Sequence, residues 1–334
     1  MKTYGFVASG GGYRSFYTAG TLIWLKKNHI PVHHIVSTSS GNNIVLDYLL
    51  WDWEREELPP ILTQIFRGNL KDIFNVFANF SGLRPTLIPT GSHLFTVDKQ
   101  RCRRSLLLDD PRRQQHLHEH LGSLRWDIMT TNVSKRQSHY FNINEIMNEI
   151  NGESIDAFLE VFLAGLTTIP YFKAIKIQNE YYLEGGYSNN TPLRSLFENP
   201  VVDEIIAVDF SDYNYHDEID KIYSNHPFAF LLNSIEMNFL VNDLQLSLPN
   251  IKVLSRATLI NRLLETAGKR AMEIDGKHYY FKPLRVLRPK NLESMTVSPE
   301  HMSIPKDYFF LAQQEAANLF TEKETAYGLK RLPE

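Results

Sequence analysis

The stretch His34-Ile35-Val36-Ser37-Thr38-Ser39-Ser40-Gly41-Asn42-Asn43-Ile44-Val45 joins a short apolar run to a helically spaced one through a string of small residues. His34 to Ser37 reads as a buried strand. Asn42 to Trp53 reads as a helix with Ile44, Val45, Tyr48 and Leu49 turned inward. The same alternation stands just upstream. Thr3 to Ala8 is strand-like, Ser9 to Gly12 is a turn, and Phe16 to Asn28 has Phe16, Ala19, Ile23 and Trp24 on one side with Lys26 and Lys27 at its end. Strand, helix, strand, helix at this spacing predicts a right-handed crossover and parallel pairing. The fold class expected is α/β: three layers, with a mostly parallel central sheet flanked by helices.

The remaining chain continues this pattern with interruptions. Residues 54–132 are broken by Pro59-Pro60, Pro85, Pro89 and Gly91, while Ile61, Ile65, Phe66, Ile73, Phe74, Phe77 and Phe80 recur at helix-like intervals. Further strands are expected at Arg125–Thr131, Ser138–Asn142, Phe172–Ile177, Tyr181–Leu183, Asp203–Asp209, around Ile251–Leu254 and over His278–Leu287. Further helices are expected at Ile155–Ala164, within Phe228–Leu244 and at Lys306–Phe320. No repeat, low-complexity tract or linker stands out. One elaborated domain over residues 1–334 is expected, with a lid-like insertion at about 54–123 and a less typical part at about 215–334.

Composition narrows the function classes. The chain has 334 residues, 43% hydrophobic and 22% charged, enough for a well-filled core. A formal net charge of −3 argues against nucleic acid as a partner. The single cysteine, Cys102, excludes an internal disulfide and suits a reducing compartment. Neither a signal peptide nor a run of ~18 apolar residues is present, so a cytoplasmic protein is expected; an effector exported without a cleavable signal stays open.

Three short strings carry chemistry. Ser39 sits where a strand hands over to a helix, a position that pushes a nucleophile out of the sheet beside free amides. The plainer reading of Ser37 to Gly41 is a Ser/Thr-rich helix cap. The glycine turn Gly10-Gly11-Gly12-Tyr13-Arg14 lets backbone approach a ligand. It lacks the third glycine and the acid of a dinucleotide loop, and the Gly-Lys-Ser/Thr of a phosphate loop. An oxyanion hole formed by the Gly11 and Gly12 amides is the third reading, each donor worth roughly 10²–10³ in rate. Arg14 would hold that loop, add positive charge, or form an ordinary surface ion pair. Glu184-Gly185-Gly186 places a carboxylate at a strand end, as a base for a hydroxyl or as an exposed turn acid.

In this order the three strings resemble the patatin-like phospholipase family. Gly10-Gly11-Gly12-Tyr13-Arg14-Ser15 is similar to its Gly-Gly-Gly-x-Arg/Lys-Gly loop, and Ser37-Thr38-Ser39-Ser40-Gly41 to its Gly-x-Ser-x-Gly elbow. Glu184-Gly185-Gly186 with Asn190-Thr191-Pro192 is similar to its Asp-Gly-Gly and trailing Asn-x-Pro. Residues 164–172 match its Ala-x-x-x-x-Pro-x-Phe run. The resemblance covers roughly Thr3 to Asp209 and implies a Ser–acid dyad without histidine. Ser39 would be the nucleophile, Glu184 the general base, and Gly11 and Gly12 the oxyanion hole assisted by Arg14. Gly10, Ser37, Gly41, Gly185 and Gly186 would support the site, with no metal and no cofactor. The substrate implied is an acyl ester of a phospholipid or lysophospholipid, reached by transient contact with a membrane surface. Acyl transfer or hydrolysis of carrier or coenzyme A thioesters is the alternative; a non-catalytic acyl- or lipid-binding relative is another. The chain departs from the family at Ser15, Ser37 and Glu184. The last matters most, because glutamate is longer than aspartate by about 1.5 Å.

Two other features have plainer readings. His116, His118 and His120 alternate, which would suit zinc on a strand, while on a helix only His116 and His120 share a face. Lys99, Arg101, Arg103, Arg104, Arg112 and Arg113 form a basic stretch that suits anionic headgroups or a solvated helix face.

Overall fold

The computed structural model describes residues 2–50, 83–85, 95–97, 99–106, 108–148, 152–167, 172–210, 257, 259–289 and 304–321. In chain order these form β1 (Tyr4–Ala8), α1 (Ser15–Lys27), β2 (Val32–Ser37), α2 (Ser40–Leu49), β3 (Leu83–Pro85) and β4 (Phe95–Val97). Then follow α3 (Lys99–Ser105), α4 (Pro111–Ser123), β5 (Arg125–Asn132), β6 (Gln137–Asn142), α5 (Ile143–Ile146) and α6 (Gly152–Ala164). The rest are β7 (Ile175–Ile177), β8 (Glu180–Glu184), α7 (Arg194–Glu198), β9 (Glu204–Val208), β10 (Ala271–Ile274), β11 (Lys277–Tyr280), β12 (Leu284–Leu287) and α8 (Ile304–Thr321).

The central sheet has eight strands in the order β12-β9-β1-β2-β5-β8-β7, with β6 also paired to β5. β12, β9, β1, β2 and β5 run parallel, whereas β6 and β8 are antiparallel to β5 and β7 to β8. Both faces are covered, as a parallel sheet requires. Phe6, Ala8, Ile35, Trp126, Ile128, Ile206 and Val208 point into one core with α1, α2, α4, α6 and α8. Val7, Val36, Met129, Ile205 and Ala207 point the other way, onto Leu193, Leu196 and Phe197 around α7. Successive residues alternating between two filled cores give the three-layer α/β architecture that the strand–helix alternation predicts.

The register of β5 sets the site. β6 occupies one edge of β5 from Asp127 to Asn132. The opposite edge is shared: β2 takes its first half, ending at Ser37 opposite Ile128, and β8 takes its second half, with Glu184 opposite Thr130. Because β8 runs against β2, their C-terminal ends meet head to head along β5 with Met129 between them. Residues far apart in sequence are thereby brought together at the C-terminal edge of the parallel strands, where α/β sheets place their ligands. The β2–β5 pairing is pinned by a buried polar cluster. The Asn199 amide group faces His34 Nδ1 at 3.0 Å, and His34 Nε2 lies 2.9 Å from Asp127 Oδ2, which Arg125 also holds at 3.1 Å. Burial holds the His34 pKa below its ordinary value, so the ring is neutral and donates to the carboxylate.

Several expectations take a different shape. His278–Leu287 is two strands, not one. Lys282 lies between them, its amide bonded to Asn261 Oδ1 at 3.0 Å and its ammonium to the Asn199 carbonyl at 2.6 Å. The histidines of His116–His120 lie on α4, opened by Asp110, whose side chain accepts from the Arg112 amide at 2.9 Å. His120 Nδ1 bonds the His116 carbonyl at 2.8 Å, and among the described residues no cluster of three or more His, Cys, Asp or Glu is placed to hold a metal ion. In the basic stretch, Lys99 pairs with Glu160, Arg103 with Asp109 and Asp156, and Arg113 donates to the Leu50 carbonyl. Residues 99–123 bury Cys102, Leu106, Leu117 and Leu121 in the main core. The phenylalanine-rich run Ile65–Phe80, the helix expected within Phe228–Leu244 and the strand around Ile251–Leu254 lie outside the described residues. No helix among the described residues is long and apolar enough to cross a membrane.

Candidate active site

Ser39 stands between β2 and α2 at φ +50°, ψ −134°. A serine with positive φ is strained by roughly 1–3 kcal/mol and persists only where neighbours hold it there. Three backbone bonds do so: the Thr38 amide to the Ala8 carbonyl at 3.1 Å, the Gly41 amide to the Thr38 carbonyl at 3.0 Å, and the Asn42 amide to the Ser39 carbonyl at 2.9 Å. Tight packing completes the turn. A Cβ on Gly41 would fall 2.2 Å from the Ala8 carbonyl oxygen, so the helix start and the end of β1 approach as only glycine permits. The result is a sharp elbow with the Ser39 side chain projecting from the strand end.

The Ser39 hydroxyl donates to Glu184 Oε2 at 2.9 Å. Glu184 is 6% exposed, so its carboxylate is close to fully buried rather than an acid on a surface turn. Its backbone is held from both sides. The Glu184 amide donates to the Thr167 carbonyl at 2.9 Å, and its carbonyl accepts from the Thr131 hydroxyl at 2.9 Å. Thr131 is tied in turn to Ser188 at 2.9 Å, and Ser188 to Ser138 at 2.9 Å. Neither Thr131 nor Thr167 carries a sequence signal for this task; only the pairing of β5 with β8 puts Thr131 beside Glu184.

The glycine turn lies against both groups. Gly10 packs on Ser39, and its carbonyl accepts from the Asn190 side-chain amide at 2.9 Å, which ties the turn to the segment after Glu184. Arg14 is 3% exposed, which replaces the surface-ion-pair reading with a buried side chain behind the loop; its amide closes the turn onto the Gly11 carbonyl at 3.0 Å. The Gly11 amide departs from expectation. Instead of facing open space beside Ser39, it donates to Ser40 Oγ at 3.1 Å, and Ser40 Oγ is bonded to Ser15 Oγ at 2.6 Å. The cause is Ser15 itself, whose hydroxyl holds Ser40 where the Gly11 amide meets it. Gly12, at φ +56°, opens the following 3₁₀ turn, and its amide has no acceptor among the described residues.

Each position that departs from the resembled pattern therefore has a partner of its own. Ser15 binds Ser40, and Glu184 binds Ser39. Ser37 donates to Asn42 Oδ1 at 2.6 Å and accepts from the Trp126 indole N–H at 2.7 Å, both partners being fully buried. Its φ lies outside the left-handed region, so a side chain is accommodated without strain. Ser37→Gly, although it restores the family's usual residue, is expected to destabilise the fold by about 1–3 kcal/mol, because it strands a buried indole donor. Urea unfolding of the two proteins checks this, with an unchanged midpoint as the contrary result.

Among curated proteins none matches the chain by sequence. By structure, the chain is similar to VipD from Legionella pneumophila (12% identity, TM-score 0.40), covering 95% of this chain and 67% of that one. It is also similar to the type III effector protein ExoU (12% identity, TM-score 0.34), covering 96% of this chain and 54% of that one. The family model described as patatin-like phospholipase matches residues 6–197, more than half of the 334, and spans the glycine turn, the elbow and the acid. The chain belongs to the patatin-like phospholipase family, a family of lipid acyl hydrolases.

Proposed function

We propose that the protein is a serine acyl hydrolase that cleaves acyl esters of phospholipids or lysophospholipids through an acyl-enzyme on Ser39. The reading is carried by the 2.9 Å bond from the Ser39 hydroxyl to the buried Glu184 carboxylate. A hydroxyl is a weak nucleophile until a positioned base takes its proton. As Ser39 Oγ bonds to the acyl carbon, its proton passes to Glu184. The carbonyl oxygen gains negative charge that the Gly12 amide and the helix dipole at the N-terminus of α2 would stabilise. Glu184 returns the proton to the leaving alcohol as the ester C–O bond breaks. Water then loses a proton to Glu184 and attacks the acyl carbon, and Glu184 passes that proton to Ser39 Oγ as the acyl–Oγ bond breaks and the fatty acid leaves. The lipid substrate is suggested by family membership.

The test is product analysis with purified protein, using phosphatidylcholine and lysophosphatidylcholine vesicles and p-nitrophenyl esters of several chain lengths. One free fatty acid per alcohol released is expected. Alcohol release without free acid until an added alcohol or thiol takes the acyl group would replace hydrolysis by transfer. No acyl cleavage of any of these by well-folded protein would overturn the reading.

A further inference from the structure

Glu184 has a second close neighbour that contributes only the space it leaves. A Cβ placed on Gly186 would lie 2.9 Å from Glu184 Oε1, with Asn190 Oδ1 at 3.6 Å and Glu184 Cδ at 3.8 Å as the next atoms. No backbone atom stands in the way. The φ of Gly186 is outside the left-handed region, so the backbone itself accepts any L-residue. What a methyl group there would displace is one end of one flexible side chain. The fold would absorb that at little cost, but the other carboxylate oxygen, Oε2, is the partner of Ser39. Oε1 and Oε2 are rigidly joined, so pushing one moves the other.

The length of the acid decides whether this matters. An aspartate at the same backbone position ends about 1.5 Å nearer its own Cα, so its carboxylate is drawn back from the ground beside residue 186. We infer that Gly186 is a positioning residue that makes room for glutamate as the base, so that side-chain size at 186 and acid length at 184 are coupled. The inference rests on Glu184 acting as the base of Ser39. It gives one departure from the family pattern a physical companion: the longer acid extends into the space that a side chain on residue 186 would fill.

A double-mutant cycle tests it, with kcat and KM on a p-nitrophenyl ester, the labelling rate of Ser39 by a fluorophosphonate, and the melting temperature for each protein. Gly186→Ala is expected to lower kcat about 10²-fold, the cost of roughly 1 Å of misplacement, while KM and melting temperature stay at wild-type values. In a Glu184→Asp background the same alanine is expected to change kcat by less than about threefold, since the interaction it disrupts is already absent. If that background turns over too slowly, the labelling rate supplies the same comparison. Equal losses in both backgrounds, or wild-type turnover in Gly186→Ala, would overturn the coupling. Failure of the underlying reading has a separate signature: full turnover in Glu184→Gln, whatever stands at position 186.

Discussion

Ser39→Ala is expected to reduce ester turnover by about 10⁶-fold, the scale on which serine hydrolases lose their nucleophile, with no loss of stability. The substitution removes one oxygen from a residue whose unusual backbone is held by bonds from Thr38, Gly41 and Asn42 rather than by its own side chain. Relieving the Glu184 carboxylate of its partner leaves the fold intact because the Glu184 backbone is clamped separately by Thr167 and Thr131. Glu184→Gln is the companion experiment. It keeps shape and hydrogen-bonding reach but cannot accept a proton, so turnover should fall about 10³-fold, within the range of general-base catalysis. The two losses should not add. Once Ser39 is absent, the base has nothing to activate, and Ser39→Ala/Glu184→Gln should match Ser39→Ala alone. Steady-state kinetics on a soluble ester, with thermal melts of every variant, decides this. Additive losses, or a melting temperature that falls with the rate, would mean that the substitutions act through the fold.

The second large effect is on stability. Gly41→Ala should cost about 3 kcal/mol or more, at the top of the usual range for overpacking. The alanine Cβ would meet the Ala8 carbonyl at 2.2 Å, with the Ala8 carbonyl carbon at 2.9 Å and the Ser9 oxygen at 3.0 Å. All are backbone atoms of β1 and its exit, paired through β1 to both β2 and β9. Nothing flexible is available to yield, in contrast to Gly186. Relief would require α2 to lift away from β1 and would break the bond from the Thr38 amide to the Ala8 carbonyl. Chemical denaturation should show a lower midpoint at unchanged slope, and residual folded protein should hydrolyse esters poorly because the elbow has opened. An alanine variant with wild-type stability would contradict the described packing.

Much of this architecture is written locally in the chain. β1, α1, β2 and α2 follow from apolar runs of strand length followed by helical spacing. In α2 the expected Ile44, Val45, Tyr48 and Leu49 are all buried, whereas α1 is buried on nearly every side from Ser15 to Ile23 and Trp24, expected inward, is only partly buried. The hairpin of β10 and β11 has a local spelling as well, Asp275-Gly276 at φ +51° and +72°, the dipeptide that matches the twist of a tight hairpin, although the expected strand over His278–Leu287 does not include it. The helical character of His116–His120 was signalled by Asp110-Pro111, a cap followed by proline in the first turn. The site divides in the same way. Ser39 and Glu184 are visible because an elbow and a strand-end acid have recognisable spellings. Thr131, Thr167 and the Ser15–Ser40 pair are not, because their roles come from strand register and from side chains meeting across the fold. The Gly11 amide is the clearest case. A glycine-rich turn shows that amides are free to point, and only the neighbouring hydroxyls decide where.

The most direct test of the central claim is to locate the adduct formed by a fluorophosphonate on the wild-type protein, by proteolysis and mass spectrometry. The account predicts a single modification on Ser39 in stoichiometric yield, abolished in Ser39→Ala and slowed about 10³-fold in Glu184→Gln, in line with loss of its base. An adduct on Ser40 or another serine, or equal labelling rates with and without the Glu184 carboxylate, would contradict it.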